Sequence, residues 1–236
     1  MRRLLTVFLA LAMLAAMAMN VSALTEVSSM QSFVSVSADG NCQISIAMTL
    51  RLDQAVDKLY FPVPAQAAGV SVNGARVSAT KDGDVRNINL SRFVKNMTGD
   101  FSLNIQYTLR DVIAATEEGI LQLQVPLLCG FAHSVENLYL SVTLPGEVPV
   151  RPSFSSGYHQ TAVEEYLNCS VEGAVITVRS LRPMKDHETL TMTMAVSEDM
   201  LSRLLPEQEL ALLTLLIVIR LISQISIVKS LQLLIL

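Results

Sequence analysis

The chain has 236 residues, 51% hydrophobic, 16% charged and 5% aromatic, with a formal net charge of −4 and a mean hydropathy of +0.44. An average soluble domain carries about 25% charged residues, so this chain is apolar-rich, and its acidic balance gives no support to nucleic-acid binding, which needs a clustered basic face. With 10 Gly, 8 Pro and 3 Cys, collagen-like, disordered and disulfide-dense classes are excluded as well.

The apolar excess begins at the N-terminus. Arg2 and Arg3 precede a run from Leu4 to Met19 interrupted only by Thr6, and Asn20 then leads into Val21-Ser22-Ala23. Basic, apolar and small-residue segments in that order form a secretory leader, expected over 1–23, with an uncleaved anchor as the alternative. Cleavage would remove two of the 17 basic residues, leaving 15 against 21 acidic ones and a mature charge near −6.

From Met30 onward the dominant period is two. Cys42, Ile44, Ile46, Met48, Leu50 and Leu52 alternate with Gln43, Ser45, Ala47, Thr49 and Arg51, the pattern of a half-buried antiparallel strand. The run Phe33 to Ser37 joins it through Ala38-Asp39-Gly40-Asn41, a predicted hairpin. A second hairpin is predicted at Val70-Ser71-Val72, Asn73-Gly74 and Ala75-Arg76-Val77-Ser78, because Asn-Gly suits a turn with positive φ at both central residues. Further alternating faces occur at Phe101–Leu109, Leu121–Leu127, Leu138–Leu144, Val171–Val178 and Leu190–Val196, separated by Gly-, Asp- and Pro-bearing turns.

Many short strands at this spacing predict an all-β chain of two antiparallel β-sandwich-like domains between the leader and a C-terminal hydrophobic helix. The first would span 24–112 and the second 113–200, with Asp111 to Gly119 breaking the alternation as the join. One larger continuous sandwich is the alternative. Pro206 limits any helix over 201–209, the expected linker.

Residues 210–236 read LALLTLLIVIRLISQISIVKSLQLLIL, long enough to cross a bilayer at roughly 20 residues per span. Arg220 costs about 2.5–3.5 kcal/mol at a helix centre, which the surrounding Leu, Ile and Val residues offset at about 0.3–0.6 each. Arg220 is thus a candidate intramembrane contact to another helix. A docked amphipathic helix and a strand over 222–228 are the other readings of the tail.

Three stretches, Gly99-Asp100-Phe101-Ser102-Leu103-Asn104-Ile105-Gln106-Tyr107, Val125-Pro126 followed by Ser134 to Pro145, and the glycine-bearing turn Ser153 to Tyr158, carry a resemblance to the bacterial DUF2207 family of predicted membrane proteins. It covers roughly residues 30–198 and implies location and fold, since that family has no established activity. The chain departs from the family in having no tryptophan and in placing Phe61-Pro62-Val63-Pro64 where an Arg-x-Ile-Pro-like segment is found.

Motifs of chemistry are sparse. His133, His159 and His187 have no ligand spacing, the cysteines form no CxxC, and no GxSxG or phosphate loop occurs. No metal, cofactor or catalytic residue is therefore expected. Glu117-Glu118, Glu164-Glu165 and Glu198-Asp199 are adjacent pairs, and successive strand residues point to opposite faces, so they read as solvated charge. Cys129 and Cys169 are the candidate disulfide pair, with three buried free thiols as the alternative.

The function expected from these features is that of a non-enzymatic, exported, membrane-anchored protein with its β-rich region extracytoplasmic, binding another protein or an envelope component. The alternative is a carbohydrate-binding module or remote hydrolase at the cell surface, with Tyr158, His159 and Tyr166 as the sugar platform.

Overall fold

The computed structural model describes residues 25–37, 39–118, 120–157 and 165–196. The expected leader, linker and tail, with Arg220, lie outside these residues. The described chain is all-β, as the alternation predicts. In chain order its strands are β1 (Thr25–Val36), β2 (Cys42–Leu52), β3 (Tyr60–Pro64), β4 (Ala68–Val72), β5 (Ala75–Arg76), β6 (Ala79–Asp82) and β7 (Val85–Asn89). After the one-turn helix α1 (Ser91–Val94) come β8 (Gly99–Leu109), β9 (Ile113–Ala115), β10 (Leu121–Cys129), β11 (Leu138–Thr143) and β12 (Ser153–Ser155). They are followed by β13 (Leu167–Glu172), β14 (Val175–Ser180) and β15 (Thr189–Ala195).

Three sheets result. The largest has eight strands in the order β13-β14-β11-β1-β2-β8-β4-β5, the second has the order β12-β15-β10-β9, and the third β3-β7-β6. The first hairpin pairs Val36 with Cys42 and continues to Thr25 opposite Leu52. On β2 every second residue from Cys42 to Leu52 is buried. Each such side chain contributes about 1.5–3 kcal/mol when withdrawn from water.

A bulge at Ser28 adjusts the register of β1. Val27 opposes Leu50 but Ser29 opposes Thr49, leaving Ser28 as the extra residue. Strict alternation would send Val27 and Met30, three positions apart, to opposite faces. The extra residue turns the strand so that both are fully buried. The Asn-Gly hairpin also forms as predicted: Asn73 and Gly74 have φ of 49° and 76°, and Val72 pairs with Ala75.

Two features differ from expectation. The stretch Asp111 to Gly119 is not a join without structure, because β9 forms within it and pairs back on β10, Ala115 opposite Leu121 and Ile113 opposite Leu123. In addition, the eight-stranded sheet takes strands from both sides of residue 112. β1 pairs with β11 in parallel, Met30 with Leu138 through Ser35 with Thr143. The eight-stranded sheet therefore runs across position 112.

Pro126 lies within β10, a position that deprives a central strand of a ladder bond. The sense of the strand explains its tolerance. The N–H of Gln124 donates to the carbonyl of Val112 on the β9 side, so the residue two further on faces the same side, where β9 has already ended. The inward-facing side chains of all three sheets belong to one hydrophobic cluster. Within it Phe61 of β3 meets Phe131, with ring centroids 5.2 Å apart.

Candidate functional site

The outward face of the eight-stranded sheet is built by register. One row across β14, β11, β1, β2 and β8 reads Arg179, Tyr139, Gln31, Ala47 and Asn104. The next reads Thr177, Ser141, Phe33, Ser45 and Gln106, and the third Val175, Thr143, Ser35, Gln43 and Thr108. None of these side chains is buried. A typical surface is about 25–35% Asp, Glu, Lys and Arg, which predicts about four or five charges among fifteen positions. Arg179 is the single charged residue in the three rows, and amides and hydroxyls hold most of the rest.

Two aromatic rings stand on this face. Phe33 is 47% exposed, and its centroid lies 6.2 Å from that of Tyr139 with the planes tilted by 59°. The guanidinium carbon of Arg179 lies 5.4 Å from the Tyr139 centroid, within cation–π range. Beside them opens a cleft of about 410 Å³ lined by Ser29, Gln31, Asn137, Leu138, Tyr139, Arg179 and Ser180, within the size range of small-molecule and cofactor sites. Asn137 is held there by donating its Nδ2 to the carbonyl of Ser28 at 2.9 Å, so the bulge of β1 shapes the rim. The sequence carried a signal for this site: Phe33 and Tyr139 are aromatic at outward positions of alternating strands.

A second cleft, of about 450 Å³, lies where β9 ends, between Gln66, Arg110 and Asp111 on one side and Gln122, Gln124 and Pro126 on the other. Asp111 adopts φ 55° at its edge, a left-handed conformation that Asp tolerates better than most residues.

The platform expected at Tyr158, His159 and Tyr166 does not describe what Tyr166 does. Tyr158 and His159 lie outside the described residues. Tyr166 instead donates its hydroxyl to Oε1 of Glu188 at 3.0 Å, with the guanidinium of Arg182 3.8 Å from its ring centroid. Glu188 has no solvent exposure. It also accepts from Arg182 at 3.0 and 3.2 Å, from the Lys185 N–H at 2.8 Å and from the Ser156 hydroxyl at 3.4 Å. Burial pushes this carboxyl up, but the hydrogen bonds from Arg182, Lys185 and Tyr166 outweigh it and hold the group below the ordinary range. Every acceptor site is occupied from within, so Glu188 anchors the 181–188 segment to Ser156 and Tyr166. Nothing in the sequence pattern marks it, because it lies beside a turn at the start of a strand.

The candidate disulfide is not formed. Cys42, Cys129 and Cys169 are free thiols, and Cys129 on β10 and Cys169 on β13 belong to different sheets. Burial pushes the Cys42 and Cys129 thiols up to about 12, which makes them poor nucleophiles.

His133 and His187, distant in sequence, meet at Phe131. The His133 ring packs edge-on to the phenyl at 5.1 Å, and the His187 N–H donates to the Phe131 carbonyl at 2.6 Å. Glu117 and Glu118 are exposed in the turn between β9 and β10, and Glu165 is exposed, while Glu164, Glu198, Asp199 and His159 lie outside the described residues. Among the described residues no group of three or more His, Cys, Asp or Glu side chains could hold a metal ion, and no helix is long and apolar enough to cross a membrane.

No family model and no curated protein matches the sequence. Solved structures do resemble the fold. The structure of native yeast LTA4 hydrolase aligns at 14% identity over 72% of this chain and 29% of that one, with a TM-score of 0.44. An M1 zinc metallopeptidase from Deinococcus radiodurans aligns at 10% identity over 71% of this chain and 42% of that one, with a TM-score of 0.33. The chain thus spans less than half the length of either. A non-enzymatic chain was expected, whereas the solved structures that align with it are named as a hydrolase and a metallopeptidase, and that expectation is not carried further. The likeness concerns strand arrangement and brings no catalytic residue or activity to this chain.

Proposed function

We propose that the chain is a membrane-anchored extracytoplasmic β-sandwich protein that binds a component of the cell envelope through the outward face of its eight-stranded sheet. The observation that carries the binding surface is the charge-poor face bearing Phe33, Tyr139 and the 410 Å³ cleft beside them. Exposed rings with Arg179 as their one charged neighbour leave apolar surface in water, and such patches mark interaction sites. The leader pattern of 1–23, the apolar run of 210–236 and the resemblance to the DUF2207 family support the location.

Protease added to intact cells, followed by membrane extraction and sedimentation of the purified full chain with isolated envelopes, tests this reading. Shaving of the β-rich region, retention of the tail in the membrane fraction and co-sedimentation that weakens in a Phe33→Ala/Tyr139→Ala variant are expected. Protection from protease in intact cells, or co-sedimentation unchanged in that variant, would overturn it.

A further inference from the structure

We infer that the outward face of the eight-stranded sheet binds an uncharged polysaccharide, with Phe33 and Tyr139 as its stacking walls. This rests on the proposed function and names the ligand of the same site. The argument is one of matched chemistry. A neutral glycan offers C–H faces and many hydroxyls but no charge. It is recognised by aromatic faces that cover its apolar side, and by amides and hydroxyls that both donate and accept. The face supplies that set. Phe33 and Tyr139 meet at 59°, so their rings form an open angle rather than a stack, and one sugar ring fits against Phe33 with Tyr139 as its side wall. Gln31 lies beside Tyr139 in the same row, and Arg179 adds a planar fork of donors at the end of that row.

Charge excludes the neighbouring classes of ligand. An acidic polysaccharide needs several cations; beside the two rings there is one, Arg179, with Arg76 at the far edge of the sheet, on a chain of net charge −4. A basic partner needs free carboxylates; of those on this face, Glu26 and Asp100 are engaged by Arg51, and Glu172 stands at the β13 edge. The length of the face also fits a polymer. Five strands at about 4.8 Å spacing span about 19 Å between the outermost two, room for more than one sugar ring, with the amides of Asn104 and Gln106 at the far end.

Affinity electrophoresis of the full chain in mild detergent, through gels containing neutral glucans, mannans or galactans or acidic polyuronates, decides the matter. The expected result is retardation by at least one neutral polymer that is unchanged from low to high salt. Phe33→Ala and Tyr139→Ala should each weaken it about tenfold, as loss of an interface anchor does, and Gln31→Ala should weaken it less. Phe33 is half exposed, so its removal leaves the core intact, and an unchanged melting temperature confirms that the variant is folded. Retardation by the acidic polymers alone, falling steeply with salt, overturns the inference. So does envelope binding that depends on Phe33 and Tyr139 with no retardation by any polysaccharide, an outcome that leaves the proposed function standing and makes the partner a protein or a second copy of the chain. Absence of envelope binding altogether would remove both.

Discussion

The guanidinium of Arg182 lies with Nη2 3.0 Å from Oε1 and Nη1 3.2 Å from Oε2 of Glu188, pairing a carboxylate of zero exposure with a cation 31% exposed. Removing the cation strands a buried charge, which costs about 3–5 kcal/mol when both partners are enclosed. Because water still reaches Arg182, the loss in Arg182→Met should lie near the lower end, about 3 kcal/mol. Adding Glu188→Gln removes the stranded charge while keeping one acceptor oxygen for the Lys185 N–H and turning its NH2 toward the Tyr166 hydroxyl oxygen, which can accept, so the double variant should be more stable than Arg182→Met alone. Urea denaturation of the three proteins measures this, and equal stability of single and double variants would contradict it.

The same carboxylate predicts an acid limit. Its folded titration lies below the ordinary value of 4.5. A depressed carboxyl contributes stability that is fully present above the unfolded value and is lost as pH falls through the folded one. The denaturation midpoint should therefore decline below about pH 4.5, and Glu188→Gln should flatten part of that decline. A variant whose acid profile is parallel to that of the parent would show that other groups set the limit.

Ser32 sits in the middle of β1 with 1% exposure, and its Oγ has no hydrogen-bond partner among the described residues. An unpaired buried hydroxyl costs about 1–3 kcal/mol. Ser32→Ala is expected to stabilise the protein by about 1 kcal/mol, read as a rise in melting temperature. Destabilisation would mean that the hydroxyl is satisfied by water.

Gly157 approaches Thr189 closely. Its N–H donates to Thr189 Oγ1 at 2.8 Å, and a Cβ placed on it would come within 2.5 Å of the same oxygen. Gly157→Ala should cost about 1–3 kcal/mol through overpacking. Thr189→Ala relieves the clash, so in the double variant the two losses should sum to less than their separate values, as equilibrium unfolding would record.

Cys42 and Cys129 should be inert while the chain is folded. With values of about 12, Cys42 and Cys129 hold a thiolate fraction on the order of 10⁻⁴ at pH 8. Cys169 is also raised by burial, but Arg151 beside it opposes the shift. Alkylation followed by intact mass measurement should label Cys169 first and the other two only in denaturant. Early labelling of Cys129 would mean that the end of β10 opens.

The legible part of the fold was the part that side-chain alternation encodes. β2 follows its sequence residue by residue, and Asn73-Gly74 forms the turn that its chemistry dictates. Two things were not legible. β9 is three residues long and too short to show a period, so Ile113-Ala114-Ala115 read as a join. The pairing of β1 with β11 depends on which hydrophobic edges meet in space, and a period of two carries no information about partners. The candidate site was half legible. Phe33 and Tyr139 are visible as outward aromatics once the strands are drawn, but their adjacency requires the β1–β11 register. Tyr166 was visible as an aromatic in a loop, but its engagement with Glu188 depends on a segment fifteen or more residues away.

That β1–β11 register has a consequence for biogenesis. Met30 and Leu138 are neighbours although 108 positions separate them, so the first strand made acquires its second neighbour only after most of the sheet has been synthesised. Until then one flank of β1 offers bare amides and carbonyls to any passing extended peptide. Acquisition of the native state should be slow, as for other polypeptides dominated by distant pairings. Holding the chain unfolded, by a chaperone or an export apparatus, until Thr143 has emerged would guard it against clumping.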